Sequence, residues 1–334
     1  MDHEETALLR DSLEQVLTAT SPDSWPDALD EFGWHDLLDE DPQTAITLVA
    51  DLQGRLLPRF SILNDSLSAA LDLGTSTFSN SSGPVRLLLP RVGSMDPPAT
   101  LDEHSDDGAT IAVAGTVSTD ARPTGTLLVP ATDGNALVIV AVEDQDRIGS
   151  LSETPTAIEP HSGWVHISGF AVGAVVATGV EADRLWTHAV RTARLLVAQE
   201  LTALSREMLA LAVEHVASRK QFGRALGSFQ SVKHGLADTR VWQETAELAV
   251  VAGWEQSDPE AAAMAKLLAG RFFRSAAENC QQYLGGMGFT WEHPFHTFLR
   301  RGLILEQLLG TTATLRTELG GALRAGTMPV IGAL

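Results

Sequence analysis

The stretch 219–238 carries the side chains of this chain that are best suited to binding an anionic ligand. Its polar members are Arg219, Lys220, Gln221 and Gln230, and two of the three lysines of the whole sequence lie in it. A guanidinium fixed at a turn suits a phosphate or diphosphate, because its planar fork can donate two parallel hydrogen bonds. The stretch therefore predicts a phosphate-binding corner. A helix hairpin with solvated charges would have the same features.

Two helices must position this corner. A long apolar-periodic segment, 185–216, precedes it, and Gly223 and Gly227 interrupt the pattern. Ser228 then stands where an N-cap residue would, before Phe229, Val232 and Leu236, which recur at helical spacing. We therefore expect a helix–loop–helix corner in which Ser228 caps the second helix.

Composition limits the class of protein. The chain has 334 residues, 44% of them hydrophobic, and a net charge of −20, so it can form a sizeable globular core and is a poor match for nucleic acid or an anionic membrane. Cys280 is the lone cysteine, which excludes an intramolecular disulfide and a cysteine metal site. We expect a cytoplasmic protein.

The pattern changes twice along the chain. Residues 1–75 are predicted to be helical, with a turn at Trp25-Pro26, and 76–180 to form a small β-domain after a Ser/Gly/Asn-rich linker. Within the β-domain, 102–108 is predicted to be an acidic loop, and 164–170 and 172–178 separate strands. Residues 181–334 are predicted to be helical, including a helix from Pro259 to about Leu284.

Two separated motifs carry a family resemblance. The pattern R-x-x-F-G-x-x-(L/I)-x-x-F-Q is matched by Arg219, Phe222, Gly223, Leu226, Phe229 and Gln230. The run 282–290 (QYLGGMGFT), followed by Glu-His-Pro at 292–294 and Arg-Arg at 300–301, supplies the second. Over residues 181–312 the chain resembles the acyl-CoA dehydrogenases. The resemblance implies a multi-domain α+β fold: a helical N-terminal domain, shortened here, a small middle β-domain and a C-terminal four-helix-bundle domain.

The resemblance also implies a cofactor, FAD, bound across a subunit interface. In the family, the motif arginine and glutamine reach the diphosphate and adenosine of a neighbouring subunit's FAD, and the Gln-x-x-Gly-Gly backbone packs beside them. The matching residues here are Arg219, Phe222, Gln230, Gln282, Gly285 and Gly286. A chain that had kept these residues only for packing would show the same motifs.

The sequence departs from the family at the catalytic base. Most members place a glutamate just before a Gly-Thr pair, where this chain has Leu308-Leu309. Others place it about 26 residues before the motif arginine, where this chain has Ala193-Arg194. Glu306, about one turn away, is a candidate for a relocated base, whereas Glu292 is better explained as an acid at a helix N-terminus. The family's flavin-ring loop is also missing, and 93–107 stand in its place.

These departures favour an active site that is shared between two different subunits. The chain resembles the non-catalytic subunit of α2β2 acyl-CoA dehydrogenases that act on steroid side-chain thioesters in actinobacteria. That resemblance implies a catalytic partner subunit, an acyl-CoA substrate and electron-transfer flavoprotein as the acceptor. The alternatives are a homotetrameric enzyme with Glu306 as base, and an inactive acyl-binding or scaffold protein.

Overall fold

The computed structural model describes residues 3–58, 61–71, 85–105, 108–118, 125–143, 151–156, 158 and 163–328. Helices come first along the chain: α1 (His3–Ala19), α2 (Trp25–Phe32), α3 (Trp34–Glu40), α4 (Pro42–Leu56) and α5 (Leu63–Ala70). Strands follow: β1 (Val85–Leu87), β2 (Leu89–Pro90), β3 (Ala99–Ser105), β4 (Gly108–Ser118), β5 (Thr126–Thr132), β6 (Leu137–Val142), β7 (Leu151–Pro155) and β8 (Trp164–Thr178).

The last part of the described chain is helical apart from a short hairpin. Its elements are α6 (Gly179–Ser218), β9 (Lys220–Gln221), β10 (Arg224–Ala225), α7 (Gln230–Glu255), α8 (Pro259–Leu284), α9 (Phe295–Gln307) and α10 (Thr312–Ala325). The predicted linker at 75–83 lies outside the described residues. None of the described helices has an apolar stretch long enough to cross a lipid bilayer.

The predicted turn at Trp25-Pro26 is wrong, because these residues begin α2. Proline is tolerated in the first helical turn, where the missing amide would have no intrahelical partner. The buried Trp25 indole donates from Nε1 to the Leu17 carbonyl, 3.1 Å away, which ties α2 to α1.

The strands close on themselves. Within the described residues, β4, β3, β5, β6 and β8 pair in that order, and β8 pairs back with β4 over Ala109–Ser118. Alternate residues of β4 point inward, where Ile111 and Val113 pack with Val129, Val140 and Ile167 in a core of their own. The closed sheet thus positions the segment between β2 and β3 against the helices.

Two sequence predictions about these strands are wrong. The acidic segment at 102–108 is the end of β3 and the start of β4, with residues 106 and 107 outside the described part. The two strands predicted at 164–178 are the single strand β8, which pairs continuously with β4 across Gly169 and Ala171. In both places cross-strand pairing outweighed local composition.

The N-terminal and C-terminal helices share one core, centred on α6. Helix α4 crosses α6 closely at Gly54, where a Cβ atom would lie 2.5 Å from the Glu200 carbonyl oxygen. The fully buried Glu200 carboxylate accepts hydrogen bonds from Gln53 Nε2 (2.5 Å) and Arg301 Nε (2.7 Å). This network joins α4, α6 and α9, so the first helices are fastened to the helices that carry the sequence motifs.

Candidate functional site

The predicted corner contains a two-residue β-hairpin between α6 and α7. Phe222 and Gly223 form its turn, with φ of 53° and 79°, and Gln221 pairs with Arg224. Positive φ at both central positions is typical of a type I′ turn, which usually carries Asn-Gly. A phenylalanine in this conformation is strained, and its side chain is 88% exposed. The turn therefore presents Phe222 to the exterior.

The predicted cap at Ser228 is wrong. Ser228 closes a short 3₁₀ turn (Leu226–Ser228), and its hydroxyl donates to the Ala225 carbonyl at 2.7 Å. Helix α7 begins two residues later, at Gln230, with Phe229 in the cap position. The local hydrogen bond takes the serine hydroxyl away from the helix amides.

Arg219 lies at the junction of α6 and the hairpin. Its amide donates to the His215 carbonyl (2.8 Å), and its own carbonyl accepts from the Leu226 amide (2.9 Å), so the backbone on both sides of it is fixed. Partial burial lowers the pKa of His215, and the nearby positive charges of Arg219 and His293 lower it further. His293, from the second sequence motif, therefore lies near the first motif.

The ends of the two motif helices also meet. The Tyr283 hydroxyl donates to the Ser231 carbonyl (3.3 Å), which holds the last turn of α8 against the first turn of α7. Gln230 and Gln282 are both exposed at this junction. Sequence reasoning missed Arg224, whose guanidinium carbon lies 3.9 Å from the centre of the Phe229 ring. No sequence signal indicates Arg224, because a Phe-Gly pair does not predict the hairpin that places it opposite Gln221.

The geometry of this corner fits the diphosphate and adenosine part of a dinucleotide. Gly285 has φ 59° and ψ −136°, a conformation open almost only to glycine. Apart from the adjoining residues, no atom in the described part of the chain would lie within 4 Å of a Cβ atom at Gly223, Gly285 or Gly286. The backbone therefore faces open space that a ligand can approach, beside exposed basic and amide side chains.

The two positions where the family places its base lie side by side. Ala193 and Arg194 are buried in α6, and Arg194 Nε donates to the Leu309 carbonyl at 3.2 Å. The remaining guanidinium nitrogens bind the Glu318 carboxylate at 3.1 and 3.0 Å. Leu308 and Leu309 are buried too, and Leu309 has a positive φ of 58°. Both positions are filled by side chains that cannot accept a proton.

The segment that stands in place of the flavin-ring loop packs onto the same turn. The Gly93 amide donates to the Gln307 carbonyl (3.2 Å), and the Met95 sulfur lies 3.9 Å from an Arg194 nitrogen. A Cβ atom at Gly310 would lie 2.8 Å from that sulfur, so the side chain covers Gly310 closely. Met95 therefore leaves no room for a ligand atom directly against Gly310. A cavity of about 520 Å³ opens between this segment and strands β3 and β4.

Glu306 is engaged in structural contacts. Its buried carboxylate accepts from Arg274 Nη2 (3.1 Å) and from the Thr312 amide (3.0 Å), which caps α10. Lys266 donates from Nζ to the carbonyls of Glu306 (3.0 Å) and Gly310 (3.4 Å). Burial lowers the pKa of Lys266 to about 7. These contacts hold the turn between α9 and α10, and the role of Glu306 as a relocated base stays a prediction.

Among the described residues, no group of three or more His, Cys, Asp or Glu side chains is arranged to hold a metal ion. The Nδ1 atom of His293 instead accepts a hydrogen bond from the Phe295 amide (3.2 Å) at the start of α9. Cys280 is buried, and burial raises the pKa of its thiol to about 12. Its low reactivity indicates a packing role.

Comparison with known proteins identifies the family. A sequence model described as acyl-CoA dehydrogenase, C-terminal domain, matches residues 184–323. Acyl-CoA dehydrogenase FadE34 of Mycobacterium tuberculosis is 31% identical over 235 residues, which are 68% of this chain and 32% of that protein. Acyl-CoA dehydrogenase IpdE2 of the same species is 39% identical over 118 residues, 35% of this chain and 37% of that protein. Residues 184–323 carry the C-terminal domain of the acyl-CoA dehydrogenase family.

The matched regions span about a third of the length of these curated relatives. Solved structures cover nearly the whole chain. A variant of the Tcur3481–Tcur3483 steroid ACAD matches with a TM-score of 0.78 at 19% identity, covering 97% of this chain and 98% of that one. The ChsE4–ChsE5 complex of Mycobacterium tuberculosis matches with a TM-score of 0.74 at 19% identity, covering 99% of each. The predicted α+β acyl-CoA dehydrogenase fold is confirmed. Members of this family depend on FAD.

Proposed function

We propose that this chain is a subunit of a heteromeric acyl-CoA dehydrogenase. The complex would oxidise an acyl-CoA thioester to the trans-2-enoyl-CoA, and FAD would supply the hydride acceptor. The partner subunit would provide the flavin-ring pocket and the catalytic glutamate. This chain would contribute Arg219, Phe222, Gln230, Gln282, Gly285 and Gly286 to the outer part of the partner's FAD site.

The contact between Arg194 and Leu309 carries this proposal. The reaction needs a carboxylate at the α-carbon, because a proton leaves C2 as a hydride leaves C3. An arginine side chain stays protonated in proteins and cannot act as that base. Here Arg194, one of the two residues matched to the first family position, is hydrogen-bonded to Leu309, one of the two matched to the second. On this proposal the catalytic base belongs to another chain.

The corner around Arg219 supports a role in binding the partner's cofactor. The six residues matched to the family's FAD contacts are all exposed or backbone-accessible in the single chain. Arg219, Lys220, Arg224 and Lys233 make this corner basic on a protein of net charge −20. A local positive charge of this kind suits an anionic dinucleotide that would be repelled elsewhere.

The structural neighbours suggest the class of substrate. One is described as a steroid ACAD, and another is a complex of two different chains, ChsE4 and ChsE5. By analogy, the acyl group would be a steroid side-chain thioester, and the partner a second acyl-CoA dehydrogenase chain. Electron-transfer flavoprotein would be the electron acceptor. This analogy comes from the fold, whereas the division of labour comes from the site.

The test is the flavin content and native mass of the chain alone and with partners. Candidate partners are the family chains from the same genome that carry glutamate at the position of Leu308 or Leu309, or of Ala193 or Arg194. We expect no flavin in the chain alone, and two flavins in a four-chain complex with one candidate. One flavin per chain in an active homotetramer would contradict the split site and favour Glu306 as base. The absence of flavin with every candidate would favour the scaffold alternative.

A further inference from the structure

The cavity of about 520 Å³ lies between the segment that joins β2 to β3 and the outer face of the closed sheet. Ala112 and Ala114 of β4 form its floor, and residues 91–98 form its wall. All the residues that line it belong to this segment and to β3 and β4. Cavities of roughly 300–1,000 Å³ hold small organic ligands in other proteins. The cavity is therefore large enough for a small molecule.

The segment between β2 and β3 has two sides. The Met95 side chain lies against Arg194 and Gly310, whereas Ser94 and Asp96, on either side of it, line the cavity. The Asp96 amide donates to the Ser94 hydroxyl (3.1 Å), and that hydroxyl donates to the Asp96 carboxylate (3.3 Å). Contacts within the segment therefore engage the acid of this wall and fix its shape.

Arg91 makes one end of the cavity positive. It directly follows Pro90, which pairs with Gly115 of β4, so it stands at the end of the alanine floor. Its side chain is exposed. Partial burial lowers the pKa of His166 on β8, and the positive charge of Arg91 lowers it further, so the guanidinium lies near this part of the outer face. This end of the cavity suits an anionic group.

The other end of the floor is apolar. Phe170 and Val172 of β8 pair with Ala112 and Thr110 of β4, so their side chains lie on the same face of the sheet as the floor. Phe170 is 60% exposed and Val172 is 55% exposed. Apolar side chains grouped on a surface indicate a place that another molecule covers. From Thr110 to Ala114 the strand rises about 14 Å, which sets the length of the apolar body that fits.

We propose that this cavity binds an elongated apolar carboxylic acid, with its carboxylate at Arg91 and its apolar body along β4 towards Phe170. The planar guanidinium can donate two parallel hydrogen bonds to a carboxylate, and the small side chains of the floor leave room for the apolar body. The site belongs to this chain alone. The inference therefore goes beyond the proposed function and does not depend on it.

Decanoate is the probe, because it joins a carboxylate to an unbranched apolar chain, and decan-1-ol is its uncharged counterpart. Calorimetric titration of the full chain at neutral pH measures the dissociation constant of each. We expect decanoate to bind at least about tenfold more tightly, because the alcohol lacks the charge-assisted hydrogen bonds. NMR follows the imidazole of His166, whose pKa should rise when a bound carboxylate offsets the charge of Arg91.

Two variants locate the site. Arg91→Met should reduce the affinity for decanoate to that for decan-1-ol, and Arg184→Met, at an exposed arginine in the first turns of α6, is its control. Phe170→Ser removes apolar surface and should weaken the binding of both probes. Its control is Leu323→Ser on α10, where the leucine is 68% exposed. Phe170→Ser also tests the site should Arg91→Met fail to fold.

Each of several results would overturn the inference. Decanoate that does not bind, or binds no better than decan-1-ol, would show that no positive group meets the carboxylate. Binding that neither Arg91→Met nor Phe170→Ser weakens more than its control would place the acid elsewhere on the chain. An unchanged pKa of His166 in the bound state would separate the carboxylate from Arg91. None of these results bears on the flavin content and native mass that test the proposed function.

Discussion

Arg194 and Leu309 are joined by a hydrogen bond of 3.2 Å from the guanidinium Nε to the main-chain carbonyl, although they are 115 residues apart. The bond links the long central helix α6 to the turn between α9 and α10. The family resemblance predicts the catalytic glutamate at one of two places, Ala193-Arg194 or Leu308-Leu309, and the structure brings these two places together. A buried cation and its carboxylate partner, Glu318, hold them together.

The ion pair between Arg194 and Glu318 should be worth more than an exposed one. Glu318→Gln would leave the buried guanidinium without its counter-charge, and we expect a loss of about 1–3 kcal/mol in the free energy of unfolding. The loss is smaller than for a fully buried pair because Glu318 is 43% exposed. Urea unfolding at neutral pH measures the change.

The control for this variant is Glu181→Gln. Glu181 also binds an arginine, Arg184, but both side chains are exposed at the start of α6. Exposed pairs contribute little, so this change should leave the unfolding curve nearly in place. Equal effects of the two substitutions would mean that Arg194 is reached by solvent and that the pair does not fasten the turn.

Glu306→Gln tests the relocated base. The substitution weakens the contact with Arg274 and the cap on the Thr312 amide, and we expect a stability loss of about 1 kcal/mol. The activity per flavin of the assembled complex should not change. Glu292→Gln, at an exposed acid, is the control. Loss of α-proton exchange in a variant that remains folded would show that Glu306 is the base.

Local signals in the sequence predicted the long helices well. Helix α8 was expected at 259–284 and is found there, because Asp258 caps it and Gly285 ends it. The turn predicted at Trp25-Pro26 failed because proline also starts helices. The hairpin at Phe222 could not be predicted, since phenylalanine is a poor residue for positive φ. A strained residue kept at such a place is itself an indication of function.

The sequence also predicted one part of the candidate site and not the other. The corner around Arg219 could be predicted, because its residues lie in two short motifs. The contacts of Arg194 with Leu309, Glu318 and Met95 could not, because they join distant segments without a local pattern. The structural role of Arg194 follows from its burial, and the burial of a residue cannot be determined from a single sequence.

Arg219→Ala should lower the FAD content of the assembled complex. The diphosphate would lose a charge-assisted hydrogen bond worth about 1.5–3 kcal/mol, which corresponds to roughly 10- to 100-fold weaker retention. Flavin absorbance per complex after gel filtration measures it. Arg184→Ala, at an exposed arginine that pairs within its own helix, is the control. Unchanged occupancy in the Arg219 variant would reduce that residue to a packing role.

Phe222→Asn separates folding from cofactor contact. An Asn-Gly pair suits the type I′ turn better than Phe-Gly, so the isolated chain should gain up to about 1 kcal/mol in stability. The complex should nevertheless lose FAD, because the exposed ring is removed. A variant that keeps its FAD would show that the ring is not part of the site, whatever its effect on Tm.

Lys266 should make stability depend on pH. Burial lowers its folded-state pKa to about 7, from the usual 10.5 of a lysine. Between these values the unfolded chain binds a proton that the folded chain does not, so the free energy of unfolding rises with pH, by up to about 1.4 kcal/mol per unit. Below pH 7 both states are protonated and this contribution to the slope vanishes.

The measurement compares urea unfolding of the wild type and of Lys266→Met at pH 6, 7, 7.5 and 9. The variant loses the hydrogen bonds to the Glu306 and Gly310 carbonyls, which lowers its stability by an amount that does not depend on this proton. The difference between wild type and variant should therefore change little from pH 6 to 7 and grow in favour of the wild type from pH 7.5 to 9. A constant difference over the whole range would mean that Lys266 remains charged in the folded protein, stabilised by Glu306, and that the turn is held by an ion and not by a neutral amine.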